Sequence, residues 1–297
     1  MSPYVRRVVV SSLFVLLPLA VSASSPPGEE PPSEGISPRR FVEHLDVRCY
    51  KIITRDDVLL HLDHLNPVFR ESGMPAEDVD FDPQQLCVPV QKFDQRVPDD
   101  VLRYIQYVDW RCHGINGPSL DLPLRTTHLN KVMVEMFGGE GNDIVVREPQ
   151  QLCVPVAKDD HFPKPEVLRL IEWLDVKCYR VDSKRQFDSR DIRLTHLNPL
   201  LADSEPEYTT ILGPTPTQLC VPVAKNKAFP PEDVLQFIAY SDVLCYNLKG
   251  KALDREIKLT HLNPVLRERF PESEAVKVTD TEKFCVPVAK NGNFPPE

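Results

Sequence analysis

The sequence lacks the features that mark several large classes of protein. It contains no run of basic residues, and its 44 acidic side chains outnumber its 35 basic ones, which gives a formal net charge of −9. A basic patch is the electrostatic signature of nucleic-acid binding, so we expect no nucleic-acid partner. Beyond residue 23 no segment approaches the roughly 20 apolar residues of a membrane-spanning helix. We therefore expect no membrane span in the mature chain.

Phosphate-binding and zinc-binding motifs are also missing. The glycine-bearing loop at 137–143 lacks the Gly-Lys-Ser/Thr of a phosphate-binding loop, and we interpret it as a surface turn. None of the eight cysteines has the CxxC spacing that is typical of structural zinc sites. The sequence thus predicts no metal and no cofactor.

The first 37 residues predict export. Arg6 and Arg7 precede an apolar stretch at 8–19, and small residues follow up to Ala23. This order is typical of a secretory signal peptide, here 1–23 with cleavage near Ala23. Residues 24–37 are rich in proline, serine and glutamate and predict a disordered linker. We expect the mature protein to be secreted, extracellular or on the cell surface.

What the sequence does contain is one pattern written four times. Each copy has Asp-x-x-Cys, then His-Leu-Asn, then Cys-Val-Pro-Val-x-Lys, and the first cysteines recur about 65 residues apart. Self-similarity at a fixed period indicates a repeat architecture. We number the copies 1 to 4 and predict tandem repeats at 38–92, 93–158, 159–225 and 226–297, the last with a C-terminal tail.

Within a copy the patterns predict mainly β structure with short helices. Proline and acidic residues that open a segment such as 231–240 favour a short helix, although its aromatic and β-branched residues leave a strand open. Strands are predicted around Cys-Tyr and before His-Leu-Asn, where apolar and polar residues alternate. In the last strand the internal proline, such as Pro155, predicts an edge or a bulge because proline cannot donate to a ladder. The fold class is thus a β-rich α+β protein of four small repeats.

The cysteines predict one disulfide in each repeat. An even number of cysteines in an exported chain, two per copy, is typical of a disulfide framework. A unit of this size has a marginal core, and closing a loop of about 40 residues stabilises it by up to roughly 4 kcal/mol. Pairing between neighbouring copies, such as Cys87 with Cys112, is the alternative. The predicted pairs are Cys49–Cys87, Cys112–Cys153, Cys178–Cys220 and Cys245–Cys285.

Polar residues recur at fixed positions of the copies. The recurring histidine is a ligand-contacting or proton-transferring group, or a half-buried ring that bonds a backbone carbonyl; we prefer the second role. We predict that Asp242 and His261 touch, and that the lysine after the last strand is a solvated edge charge. The sets are His64, His128, His196 and His261; Asp46, Asp109, Asp175 and Asp242; and Lys92, Lys158, Lys225 and Lys290. The tyrosines after the first cysteines are predicted to pack in the core.

Two strings resemble a known repeat. The segments 49–52, Cys-Tyr-Lys-Ile, and 86–92, Leu-Cys-Val-Pro-Val-Gln-Lys, are similar to a tandem repeat of unknown function in exported bacterial proteins. The resemblance covers 41–290 as four copies. It implies export and a small β-rich unit, and it implies no activity.

These observations together predict a secreted or cell-surface repeat protein with a binding or structural role. The expected partner is an unknown protein or a glycan at the cell surface. We identify no catalytic residue and expect the protein not to be an enzyme. The alternative is an exported metal-binding protein or hydrolase that uses the repeated Asp, His and Cys residues.

Overall fold

The computed structural model describes residues 35–53, 58–64, 77–93, 95–186, 188–197, 201, 207–213, 215–225, 228–262, 268 and 272–297, without the side chains of 58–64 and 77–83. The predicted signal peptide and most of the predicted linker lie outside this part. Residues 36–297 form one compact unit that is mainly β and contains four disulfides. In the described part of the chain no helix is long and apolar enough to cross a membrane.

Each copy contributes a short opening helix, a first strand through Asp-x-x-Cys, a second strand that ends at the recurring histidine, and a closing strand. Copy 1 has α1 Pro38–Val42, β1 Val47–Ile53, β2 Val58–His64 and β3 Glu77–Lys92. Copy 2 has α2 Asp99–Ile105, β4 Trp110–Gly114, β5 Leu122–His128, α3 Lys131–Phe137 and β6 Asn142–Lys158. Copy 3 has α4 Pro165–Ile171, β7 Val176–Ser183, β8 Arg190–His196, β9 Glu207–Ile211 and β10 Gln218–Lys225. Copy 4 has α5 Glu232–Ile238, β11 Val243–Lys249, β12 Arg255–His261 and β13 Glu274–Lys290.

The helices begin where the sequence provides helix-starting residues. In α5 the first turn carries Glu232 and Asp233, which complement the helix dipole, and Val234 and Ile238 are buried one turn apart. The open alternative at 231–240 is thereby settled as a helix. In copy 2 the Asn130 side chain accepts a hydrogen bond from Val132 N at 2.9 Å and caps α3.

Eight strand segments close into an antiparallel ring, which we call the central cylinder. Its order is β1, β3, β4, β6, β7, β10, β11 and β13, and β13 pairs back with β1. The first strand of each copy and the cysteine-bearing part of its closing strand alternate around this ring. Neighbouring copies therefore share one continuous sheet, and the closed ring leaves no edge strand.

The second strands link copies that are two places apart. β2 pairs with the end of β10, β5 with β13, β8 with β3, and β12 with β6. Backbone hydrogen bonds from Leu197 N to Pro89 O and from Leu262 N to Pro155 O, both 3.0 Å, repeat this link. The four copies are thus interwoven within one unit.

The prolines of the closing strands lie where a strand changes its neighbour. Pro155 faces Trp110 of β4 on one side, and on the other its carbonyl accepts from Leu262 where β12 replaces β7. Proline has no backbone N–H to donate. Its absence is tolerated where β12 replaces β7, because neither strand offers an acceptor for it at that point. The prediction that Pro155 marks an edge or a bulge is wrong.

The opening helices close one end of the cylinder. Val101, Ile105, Ile171 and Ile238 pack in one buried cluster with the eight cysteines. The last residues of the described chain complete this end, where Arg39 N donates to Pro296 O at 2.9 Å.

Candidate functional site

A layer of sulfur crosses the middle of the cylinder. The disulfides join Cys49–Cys87, Cys112–Cys153, Cys178–Cys220 and Cys245–Cys285. This is the predicted pairing within copies. Each disulfide links residues directly opposite each other on paired strands, such as Cys49 and Cys87. All eight cysteines border one small space inside the cylinder, and we call them the sulfur layer.

Above the sulfur layer lie four polar side chains at equivalent positions, two residues before the second cysteine of each copy. Strand alternation points them to the same side as that cysteine. Lys283 Nζ donates to Gln218 Oε1 at 2.8 Å and to Gln151 Oε1 at 3.3 Å, and Gln151 Nε2 donates to Gln85 Oε1 at 3.1 Å. Burial lowers the pKa of Lys283 to about 8, opposed by the Glu282 carboxylate. We call Gln85, Gln151, Gln218 and Lys283 the cavity floor.

The floor opens into a cavity of about 660 Å³ at the end of the cylinder away from the helices. Its rim includes Lys51 and Asn247, each two residues beyond a first cysteine, and Gln84, Gln150 and Glu282, each one residue before a floor position. A second cavity of about 440 Å³ shares Gln84 and Gln150 with it. The floor thus belongs to a polar, amide-rich basin at one mouth of the cylinder.

The recurring aspartates lie at the other side of the fold, in buried ion pairs with the recurring lysines. Lys158 and Asp109 are 0% and 3% exposed, and all four pairs are equivalent. Burial raises the pKa of Asp175 to about 6 and lowers that of Lys290 to about 8, each opposed by the partner's charge. The prediction that these lysines are solvated edge charges is wrong. The pairs are Asp46–Lys92, Asp109–Lys158, Asp175–Lys225 and Asp242–Lys290.

The recurring histidines of copies 2, 3 and 4 contact the residue that follows the first cysteine of the copy two places away. His196 Nε2 and His128 Nε2 lie 3.0 Å from the hydroxyl groups of Tyr50 and Tyr246. His261 and His113 stack with their ring centroids 6.3 Å apart. The side chain of His64 lies outside the described residues.

One prediction about the histidines is therefore wrong. The ring nitrogens of His128 and His196 bond a tyrosine hydroxyl, and not a backbone carbonyl. Asp242 pairs with Lys290 and His261 stacks on His113; the expected contact between Asp242 and His261 stays a prediction. Burial lowers the pKa of His128 and His261 to about 3 and of His196 to about 4, which keeps all three neutral at pH 7. Tyr50, Tyr179 and Tyr246 are buried, as predicted.

Sequence reasoning did not find the cavity floor. The available signal was the glutamine of the recurring string Gln-Leu-Cys-Val-Pro-Val, because residues two apart on a strand face the same side. A disulfide directed into a closed ring would have placed that glutamine inside as well.

Comparisons of the chain with protein-family models, with curated proteins and with solved structures gave no match. The resemblance to repeats of exported bacterial proteins stays a prediction.

Proposed function

We propose that the protein is a secreted or cell-surface binding protein and that the polar cavity is its ligand site. The ligand class that suits this site best is a hydroxyl-rich molecule, such as the end of a glycan. The observation that carries this proposal is the concentration of amide side chains around one cavity: Gln84, Gln85, Gln150, Gln151, Gln218 and Asn247.

The chemistry of the lining supports a polar ligand. Each amide offers both donors and an acceptor, which match the paired hydroxyl groups of a sugar. A volume of about 660 Å³ lies within the range of about 300–1,000 Å³ that is usual for small-ligand sites. Ile52 is the apolar member of a lining that is otherwise amide or charged.

The cylinder also supplies a rigid frame for such a site. Each floor residue lies two residues from a disulfide on its strand. The floor amides already bond one another and the rim: Gln151 Nε2 donates to Gln84 and Gln85, and Gln218 Nε2 donates to Gln150. A site held in its bound geometry loses less conformational entropy when the ligand binds.

The alternative, a metal-binding protein or hydrolase that uses the recurring Asp, His and Cys residues, has less support. The cysteines are paired with one another, the aspartates pair with lysines, and His128 and His196 bond tyrosines. Among the residues that the structure describes, no group of three His, Cys, Asp or Glu side chains could hold a metal ion. We propose no catalytic role.

A glycan array followed by calorimetry tests the proposal. The rim variant Gln84→Ala/Asn247→Ala removes two amides, and at about 1 kcal/mol for each hydrogen bond we expect affinity for the retained oligosaccharide to fall roughly thirtyfold. Gln186→Ala removes an exposed amide that does not line the cavity; it is the matched control and should bind as the unchanged protein does. Failure to retain any oligosaccharide, or equal binding by the rim variant, would contradict the proposal.

A further inference from the structure

The disulfides of neighbouring copies touch one another. The Sγ atoms of Cys87 and Cys112 are 3.7 Å apart, and those of Cys153 and Cys178 and of Cys220 and Cys245 are 3.8 Å apart. All eight cysteines are in disulfides, so neither sulfur carries a hydrogen and these are van der Waals contacts. At these three junctions the disulfide of one copy thus presents a sulfur to the disulfide of the next copy.

The same strand register recurs at every junction between copies. Cys112 lies opposite Gln85, Cys178 opposite Gln151, Cys245 opposite Gln218, and Cys49 opposite Lys283. In each case the cysteine is diagonal to the second cysteine of the adjoining copy. The ring therefore offers two pairings of its eight sulfurs, one within copies and one between neighbours.

We propose that the sulfur layer acts as a thiol–disulfide relay. A small thiol that reduces one disulfide starts a series of exchanges that moves the pairing from within copies to between neighbouring copies. The relay uses the disulfides alone and does not depend on which ligand the cavity binds.

The reaction balances at every step. One thiolate of the small thiol attacks Cys87 and releases Cys49, and a second resolves the mixed disulfide, so that the small thiol leaves as its own disulfide and two protein thiols remain. The Cys87 thiolate then attacks Cys112: the Cys87–Cys112 bond forms, the Cys112–Cys153 bond breaks, and the electron pair stays on Cys153.

Two further exchanges of the same kind complete the relay. The Cys153 thiolate attacks Cys178 and releases Cys220, which attacks Cys245 and releases Cys285. These exchanges involve no net oxidation or reduction. The end state has three disulfides between copies, and its two thiols are Cys49 and Cys285, at the junction where copy 4 meets copy 1.

The surroundings of the sulfur layer favour access from the cavity. On the helix side the cysteines pack against buried apolar residues such as Val47, Trp110 and Val243. On the other side the cavity floor borders both the cavity and the space that the cysteines enclose. One layer of side chains thus separates solvent from the disulfides, which suits a small reductant.

The test is limited reduction of the folded, exported chain. The protein is treated with a substoichiometric amount of 2-mercaptoethanol, free thiols are blocked with N-ethylmaleimide at acidic pH, and disulfide-linked peptides are identified by mass spectrometry. Because contacting sulfurs have a high effective concentration, links between neighbours should exceed links between non-neighbours by roughly tenfold or more. The expected links are Cys87–Cys112, Cys153–Cys178 and Cys220–Cys245.

Two outcomes overturn the relay. One is recovery of links within copies alone, with the blocked thiols confined to one original pair. The other is a mixture in which non-neighbour links, such as Cys49–Cys178, match the neighbour links, since that mixture requires unfolding before exchange. The matched variant Cys112→Ala/Cys153→Ala removes the disulfide of copy 2; it should lose the Cys87 and Cys178 links between copies and keep Cys220–Cys245.

Discussion

At the scale of the residue, the fold depends on polar side chains that are buried in pairs. Asp109 and Lys158 are almost fully buried, and an equivalent pair occurs in all four copies. Taking two charges out of water is costly, so such a pair adds little net stability, but removing one partner leaves an uncompensated buried charge. Recurrence of both residues in every copy was the signal that they act together, and the sequence alone did not show that a lysine after a strand turns inward.

The first prediction concerns this pair. Lys158→Met leaves Asp109 buried without its partner and should lower the free energy of unfolding by about 3–5 kcal/mol, whereas Asp109→Leu/Lys158→Met should recover most of that loss. Denaturant unfolding without reductant measures both. The exposed pair Arg169–Asp233 provides the control, because Arg169→Met should cost less than about 1 kcal/mol. Equal losses for the single and double variants would show that the charges are not coupled.

The second prediction concerns the pH dependence that the buried histidines cause. His128 has a pKa of about 3 in the folded protein against about 6.5 when unfolded. Because folding lowers this pKa, the unfolded chain binds the proton first as the pH falls. The contribution of His128 to stability is therefore present above pH 6.5 and is lost as the pH falls toward 3. Between pH 4 and 6, His128→Gln should reduce the slope of unfolding free energy against pH by about 1.4 kcal/mol per pH unit.

The control for that slope is His161→Gln, which removes an exposed imidazole. Unfolding curves at a series of pH values measure the three proteins together. An unchanged slope for His128→Gln would mean that this ring is already protonated in the fold.

At the scale of the element, the local sequence pattern predicts where the strands are, but it does not predict which strands pair. Alternating residues and the cysteine positions predict the strands of each copy. The closing strands, however, carry nearly the same string in all four copies, so their hydrogen-bonding edges are nearly identical. Local pattern therefore cannot distinguish the adjoining copy from the one two places away. The cavity floor was missed for the same reason, since it exists only once the ring has closed.

The third prediction tests the link between copies 2 and 4. Leu129 N donates to Pro287 O at 3.2 Å. Leu129→Pro removes this donor and leaves the carbonyl unsatisfied, at a cost of about 1–3 kcal/mol. Leu129→Ala keeps the N–H and is the control for the loss of the side chain. Hydrogen exchange should show faster exchange at the end of β13 in Leu129→Pro than in Leu129→Ala; the same rates in both would argue against the pairing.

At the scale of the whole molecule, the four copies close into one interwoven ring. Each copy supplies two of the eight ring strands, and its second strand reaches the copy opposite. No copy can form all of its backbone hydrogen bonds within itself, because its strands are bonded to strands of the three other copies. We therefore expect the ring to unfold as one unit, unlike a row of independently folded repeats.

The interwoven ring can be tested by hydrogen exchange on a chain that lacks 226–297. Removing copy 4 opens the ring between β10 and β1. It also takes β13 away from the end of β5 and β12 away from the end of β6. We predict that protection of backbone amides is lost throughout copies 1 to 3, including the strands around Cys112 and Cys178. Protection of copies 1 to 3 at the level of the full chain would show that they are stable without the closed ring.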